Sequence, residues 1–260
     1  MTLHHVVRGS GPAVLLVHAG VADARMWADV AEALAAGHRV VACDLRGFGR
    51  TPLTPGRFSN AEDILGLLDE LGIERAAVVG ASYGGRVALE LALRAPERVS
   101  ALGLIDAAIG EPFDWSPEIR AFGEAEDAAL EAGDIEAAVE LNVRTWVDGP
   151  RRSPGTVDPA VRDLVAAMQR DAFHAQLGVD ADDDELDPPV AGRLHEVRAP
   201  ALVMVGEHDV ADFHRIAERL VAELPGASPL VTIADAAHLP AVERPGAVAD
   251  ALAAFLAEHG

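Results

Sequence analysis

A chain of 260 residues with 42 acidic against 21 basic side chains carries a formal charge of −21, which repels phosphate backbones and anionic membrane surfaces. Nucleic acid and membrane are therefore not expected as partners; the small-molecule substrate expected here rests on the motifs below, not on the charge. The lone cysteine, Cys43, excludes an internal disulfide; with no basic-then-apolar leader at Met1 to Ser10 and no apolar run approaching about 18 residues, a cytoplasmic protein is expected.

In chain order, short runs rich in valine and leucine alternate with amphipathic helical patterns, the alternation that a mostly parallel sheet covered on both faces requires. The predicted fold class is α/β. Ala13–Val17 reads as a strand, and Trp27, Val30, Ala31 and Leu34 share a helix face after it. Arg39–Cys43 is the next strand, closed by Cys43 as a packed core thiol. Ile64, Leu67, Leu68 and Leu71 then mark a second helix. Arg75–Val79 and Ala101–Ile105 are strands flanking a helix over Arg86–Ala95, whose Arg86, Glu90 and Arg94 form a charged line expected to face solvent.

From Glu111 to Arg198 no strand-like run appears and helical patterns take over, such as Val161, Leu164, Val165 and Met168. Residues 111–198 are read as a helical cap inserted into a core of residues 1–110 and 199–260. Pro112, Pro117, Pro150, Pro154, Pro159, Pro188 and Pro189 punctuate it as helix starts or stops. The acidic run Asp180–Asp187 is expected to be a solvated loop rather than a calcium site, since it lacks a spaced ligand loop. The core resumes with strands at Ala201–Val205 and Pro229–Ile233, and with helices bearing Phe213, Ile216, Ala217 and Leu220, then Val248, Leu252 and Phe255.

Gly80-Ala81-Ser82-Tyr83-Gly84 falls where a strand gives way to a helix, and a Gly-x-Ser-x-Gly turn in that context presents its serine as a nucleophile. A serine hydroxyl needs a base and a group that fixes the tautomer of the base. His238 lies just past the last strand and Asp209 just past the one before, so both belong to the sheet edge of Ser82. Asp106, ending the strand Ala101–Ile105, is the alternative acid. His18 reads as a loop brace, His208 lacks a spaced metal partner, and His4 and His5 read as an exposed pair. No metal or cofactor is called for. Oxyanion donors are expected from the amide of Tyr83 and from the loop His18–Val21, with Gly20 favoured over Val21.

These motifs together resemble the α/β-hydrolase fold family. The resemblance rests on Gly80–Gly84, on Leu15–Gly20 followed by Met26-Trp27, on Asp44–Thr51, on Pro200–Asp209 and on Ala237–Pro245. It implies a mostly parallel sheet with a cap, a triad at Ser82, Asp209 and His238, and an oxyanion hole at Gly20 and Tyr83. Ala19 departs from the glycine that relatives usually carry there, and Asp44–Thr51 is expected to be a structural turn. Serine at position 82 sets the chain apart from branches that resemble haloalkane dehalogenases and epoxide hydrolases, which need an aspartate there. The motif set is most similar to small esterases and enol-lactonases. Carbon–carbon bond hydrolases, cofactor-free perhydrolases and a ligand-binding sensor are compatible alternatives. Val21, Trp115 and Trp146 are the candidates for substrate contact, among cap side chains such as Phe113, Phe122, Met168 and Phe173 that either line a pocket or pack the cap.

Overall fold

The computed structural model describes residues 2–153 and 155–259; Met1, Gly260 and Pro154, the last among the prolines expected to bound helices, lie outside the described residues. Its strands are β1 (His5–Arg8), β2 (Ala13–Val17), β3 (Arg39–Cys43), β4 (Gly56–Phe58), β5 (Ala76–Ala81), β6 (Val99–Ile105), β7 (Ala181–Asp183), β8 (Ala201–Gly206) and β9 (Val231–Ile233). The main sheet runs β1-β3-β2-β5-β6-β8-β9, with β1 antiparallel to β3 and the other neighbours parallel. The six runs predicted as strands are strands, with ends shifted by up to two residues. Their legibility has a physical cause: residues buried on both faces of a parallel sheet must all be apolar.

Side chains of β2 alternate between the two faces, Leu15 and Val17 entering one core cluster, Val14 and Leu16 the other. The first cluster packs under α2 (Asn60–Glu70), α3 (Tyr83–Arg94) and α7 (Ala211–Glu223). The second packs under α1 (Ala28–Leu34) and α9 (Pro245–His259). Ser59 caps α2 by accepting from the Glu62 amide. Between β6 and β8 lie α4 (Pro117–Glu131), α5 (Ile135–Asn142), a π-helical turn (Val143–Asp148) and α6 (Pro159–Gln176); Pro117 and Pro159 each open their helix. A short α8 (Pro240–Glu243) precedes α9. No helix among the described residues is long and apolar enough to cross a membrane. Cys43 is buried, and burial pushes its thiol up to about 12, so it stays protonated in the core.

The strands β1, β4 and β7 escaped prediction. Three residues of β1 are exposed on the sheet edge, so no apolar run marks it. β4 and β7 are three residues each and pair only with one another, in parallel. β7 corrects two expectations. The acidic run is exposed over most of its length, as a solvated loop would be, but Asp183 does not face out: β7 carries it inward against α3. The charged line of α3 does not face out either: Arg86 is 4% and Glu90 1% exposed. Arg86 binds Glu90 at 2.7 Å, Asp183 at 2.7 Å and Glu185 at 2.8 Å, so the acidic segment supplies the counter-charge that lets an arginine sit under it.

Burial raises Glu90 to about 7 despite the Arg86 charge beside it, and its Oε2 has no hydrogen-bond partner. A carboxyl with a folded-state pKa above its unfolded value favours the folded state below pH 4.5 and loses that contribution as pH rises to about 7. The window corresponds to on the order of 3 kcal/mol. Glu90→Gln is expected to gain stability relative to the parent across that window, read as the difference between urea unfolding curves at each pH. A pH-independent difference would mean that Glu90 is ionised throughout.

Candidate active site

Ser82 joins β5 to α3 with φ 48° and ψ −113°, a left-handed conformation that a serine adopts only under constraint. The constraint is visible on both sides. The Ser82 amide donates to Ile105 O at 3.0 Å, and Ser82 O accepts from Ala108 N at 3.0 Å and Gly85 N at 2.9 Å. The flanking glycines serve close approach. A Cβ at Gly80 would lie 2.1 Å from Gly84 O, and one at Gly84 would lie 2.4 Å from Val17 O. The serine thus bears the turn's strain, and the glycines let α3 sit hard against β2 and β5.

Asp209 follows β8 and His238 follows β9, as their strand-end positions suggest. The parallel sheet brings them to the rim that holds Ser82. His238 Nδ1 lies 2.8 Å from Asp209 Oδ2, and both residues are buried. The other Asp209 oxygen accepts from Val210 N at 2.7 Å. The two loops are tied together: His208 N donates to Ala236 O at 2.8 Å. The imidazole ring lies against a corner formed by Phe213 and Trp146, its centroid 4.3 Å from the first and 4.6 Å from the second, while the His238 amide donates to Trp146 O at 3.1 Å.

Asp106 follows β6 directly and is also buried, with φ 42°. It sits between the serine and the Asp209–His238 pair: its neighbour Ile105 binds Ser82, while its carboxyl lies beside Asp209 and His238, ligating atoms of the three within 4.8 Å of one another. Burial first, and then the Asp209 charge, push the Asp106 carboxyl well above the usual carboxylate range.

Tyr83 opens α3, so its amide has no partner within the helix, and a Cβ at Gly20 would lie 3.5 Å from Tyr83 Cβ. The loop carrying Gly20 and the half-buried Val21 is braced by His18. Its Nδ1 bonds Ala19 O at 2.8 Å and its Nε2 accepts from Leu45 N at 3.0 Å, a pattern that requires the neutral ring, in keeping with a pKa lowered by burial. The Tyr83 hydroxyl donates to Asp183 Oδ2 at 3.0 Å and accepts from Asn60 Nδ2 at 2.8 Å. Asp183, Asn60 and Phe213 were not among the expected site residues. Asp183 was hidden in an acidic run, and Phe213 on an ordinary apolar helix face.

Of the two tryptophans between β6 and β8, Trp146 reaches the imidazole. Trp115 is one step away, 6.0 Å from Phe213, with its Nε1 on Glu111 at 2.6 Å. His4 is half-buried rather than exposed, its Nδ1 2.9 Å from Asp44. Asp44 also accepts from Ala24 N and Arg50 N, so Asp44–Thr51 is a turn wrapped around one carboxylate. His208, which lacks a spaced partner in sequence, meets Glu207 and Asp235 on the surface.

A family model described as the alpha/beta hydrolase fold matches residues 12–130. The chain is 32% identical over 250 residues to a 2-hydroxy-6-oxononadienedioate/2-hydroxy-6-oxononatrienedioate hydrolase of Paraburkholderia phymatum, covering 87% of this chain and 81% of that one. A fluoroacetate dehalogenase of Burkholderia sp is 39% identical over 114 residues, 41% of this chain, and the match spans only 38% of the dehalogenase. Among solved structures, a thermophilic esterase from Thermogutta terrifontis superposes with a TM-score of 0.79 at 28% identity, over 99% of this chain and 94% of the esterase.

The close approach of α3 to β2 makes a paired prediction. Gly84→Ala is expected to cost about 1–3 kcal/mol through forced backbone movement. Gly66→Ala, on the exposed side of α2 where an added Cβ meets nothing within 4 Å, is expected to gain about 0.5–1 kcal/mol. Denaturant unfolding of both variants reads the two signs; a neutral Gly84→Ala would contradict the tight elbow.

Proposed function

We propose, from the premise that the chain belongs to the α/β-hydrolase fold family, that it is a serine hydrolase cleaving a carboxylic ester or lactone of a small substrate through an acyl-enzyme. The observation that carries the reading is the buried His238–Asp209 pair on the rim of a strained serine. With Nδ1–H committed to Asp209, the free lone pair of His238 lies on Nε2, the atom that takes the Ser82 proton as Oγ attacks the carbonyl. Asp209 stabilises the imidazolium that results. The amides of Tyr83 and of Gly20 or Val21 receive the oxyanion, and His238 returns its proton to the leaving alcohol. Water then repeats the sequence on the acyl-serine. No step needs a metal or a cofactor.

Residues 111–198 act in this reading as a cap, with Trp146 and Phe213 as an aromatic wall beside the base and Trp115 behind it. Such a wall favours a neutral, apolar group near the scissile bond. Arg86, one turn from Ser82, is already committed to three carboxylates and is not free to bind an anion. That counts against a dicarboxylate such as the one in the name of the Paraburkholderia relative. The extent of that match nevertheless makes cleavage of a carbon–carbon bond beside a ketone the second reading. Serine at position 82 counts against the dehalogenase activity, because it cannot form the carboxylate ester that such chemistry passes through.

Ser82→Ala is expected to lower turnover of p-nitrophenyl acetate at least about 10³-fold and to abolish labelling by a fluorophosphonate. Asp209→Asn, which leaves the base without its tautomer anchor, is expected to cost about 10³–10⁴ in kcat. Ser82→Ala protein that retained ester turnover after purification from contaminating esterases would refute the triad. Faster turnover of a 1,5-diketone than of any ester would select the carbon–carbon reading.

A further inference from the structure

We propose that the side chain of Asp106 donates a hydrogen bond to the Asp209 carboxylate and so holds Asp209 in the orientation that receives His238. Asp106 is thereby a positioning residue, and the inference rests on the triad proposed above.

The bonding pattern points to a proton on Asp106. Its Oδ1 accepts from Gly206 N at 2.9 Å, but its Oδ2 is buried with no donor to accept from. An ionised Asp106 would leave that oxygen unsatisfied, at a cost of several kcal/mol for a buried charge. A proton there has an acceptor at hand, since a carboxylate oxygen of Asp209 lies within 4.8 Å of one of Asp106. The charged surroundings agree. Asp106 faces Asp209 from the end of β8, and Glu243 of α8 is the further carboxylate that bears on it. Glu243 is itself neutralised by Arg152 at 2.6 Å. The nearby imidazole of His238 is turned to Asp209. Two adjacent buried carboxyls cannot both be ionised cheaply, and the imidazole is bonded to Asp209, not to Asp106.

The site also has the geometry of a clamp. Asp106 holds φ 42°, its amide donating to Met204 O at 2.9 Å, so its side chain spans from β6 to the start of the loop that carries Asp209. Among the described residues no arginine or lysine pairs with Asp209: Val210 N holds Oδ1, and His238 uses Oδ2. A second donor on the carboxylate restricts its remaining rotation and disperses its charge, which keeps it a hydrogen-bond acceptor rather than a competing base.

Asp106→Asn preserves both bonds, its amide N–H facing Asp209 and its oxygen facing Gly206 N. Asp106→Ala removes both. With p-nitrophenyl acetate, the alanine variant is expected to lose about 10- to 100-fold in kcat with KM within about twofold, and asparagine to restore kcat to within about threefold of the parent. In an Asp209→Ala background, Asp106→Ala should cost less than about twofold more, because its effect passes through Asp209. An isotope-edited infrared difference spectrum, parent minus Asp106→Asn at about pH 8, should show the C=O stretch of a protonated carboxyl. That spectrum and the asparagine variant carry the test if Asp106→Ala does not fold.

An absent band, an asparagine variant as impaired as Asp209→Asn, or losses that add in the double variant would each overturn the assignment. The outcome separates from that of the triad. Active Ser82→Ala protein removes the triad while the infrared band still reports the Asp106 proton. An absent band with Ser82→Ala and Asp209→Asn both inactive removes the role of Asp106 alone.

Discussion

The turn at Ser82 is the constraint around which the rest of the site is organised. A non-glycine residue at φ 48° costs on the order of 1–3 kcal/mol, so the conformation persists only where neighbouring structure dictates it. Here β6 receives the Ser82 amide, the following loop binds its carbonyl, and α3 packs onto β2 through the bare backbone of Gly84. Relaxing the turn would mean pulling the most buried helix away from the middle of the sheet. Asp106 repeats the theme one strand over, with the same left-handed backbone and another bond across the strand ends. Strain at two adjacent strand ends is thus offset by the same central block, β5, β6 and β8, and both strained residues point chemistry toward one rim.

The charge distribution follows a different logic from the net charge. A formal charge of −21 suggests a uniformly repelling surface, yet part of the acidic segment is turned inward to hold α3. Asp183 accepts from Tyr83, Asn60 and Arg86, linking the first residue of α3 to α2 and β7. The N-terminus of α3 is thereby fixed through the Tyr83 hydroxyl at the far end of its ring. The cost is a buried Arg86–Glu90 pair with one carboxylate oxygen unsatisfied. Buried ion pairs seldom add net stability, so this one is better understood as specifying where the acidic segment docks.

Much of this was legible in the sequence, and the remainder was not for identifiable reasons. The strands β2, β3, β5, β6, β8 and β9 announce themselves because both of their faces are buried. Edge strand β1 and the three-residue β4 and β7 carry no such signal, since their pairing is backbone chemistry that many side chains allow. Arg86 and Glu90 stand four residues apart, a spacing that looks the same on a wet helix face and beneath a docked segment; what decides is a partner about 97 residues away. The rim positions of Ser82, Asp209 and His238 could be read because each follows a legible strand. Asp106 follows one too, but a letter in a sequence does not carry a proton, and its distinction from Asp209 lies in which carboxyl has the imidazole.

The helical segment between β6 and β8 also holds the loop of His238 in place. The His238 amide bonds Trp146 O, Arg152 pairs with Glu243 and reaches Asp235 O, and Glu243 in turn accepts from Ala237 N. Three contacts therefore tie the loop of His238 to the stretch Trp146–Arg152 or to the ion pair that stretch forms. Trp146 lies on a π-helical turn, a geometry that widens the helix by one residue and commonly occurs where function needs a side chain displaced from regular register. Movement of this segment to admit a substrate would carry the indole off the imidazole and pull at the His238 backbone together. The orientation of the His238 ring and the placement of Trp146 are consequently one packing problem, since a shift of either disturbs both the ring contact and the backbone bond between them.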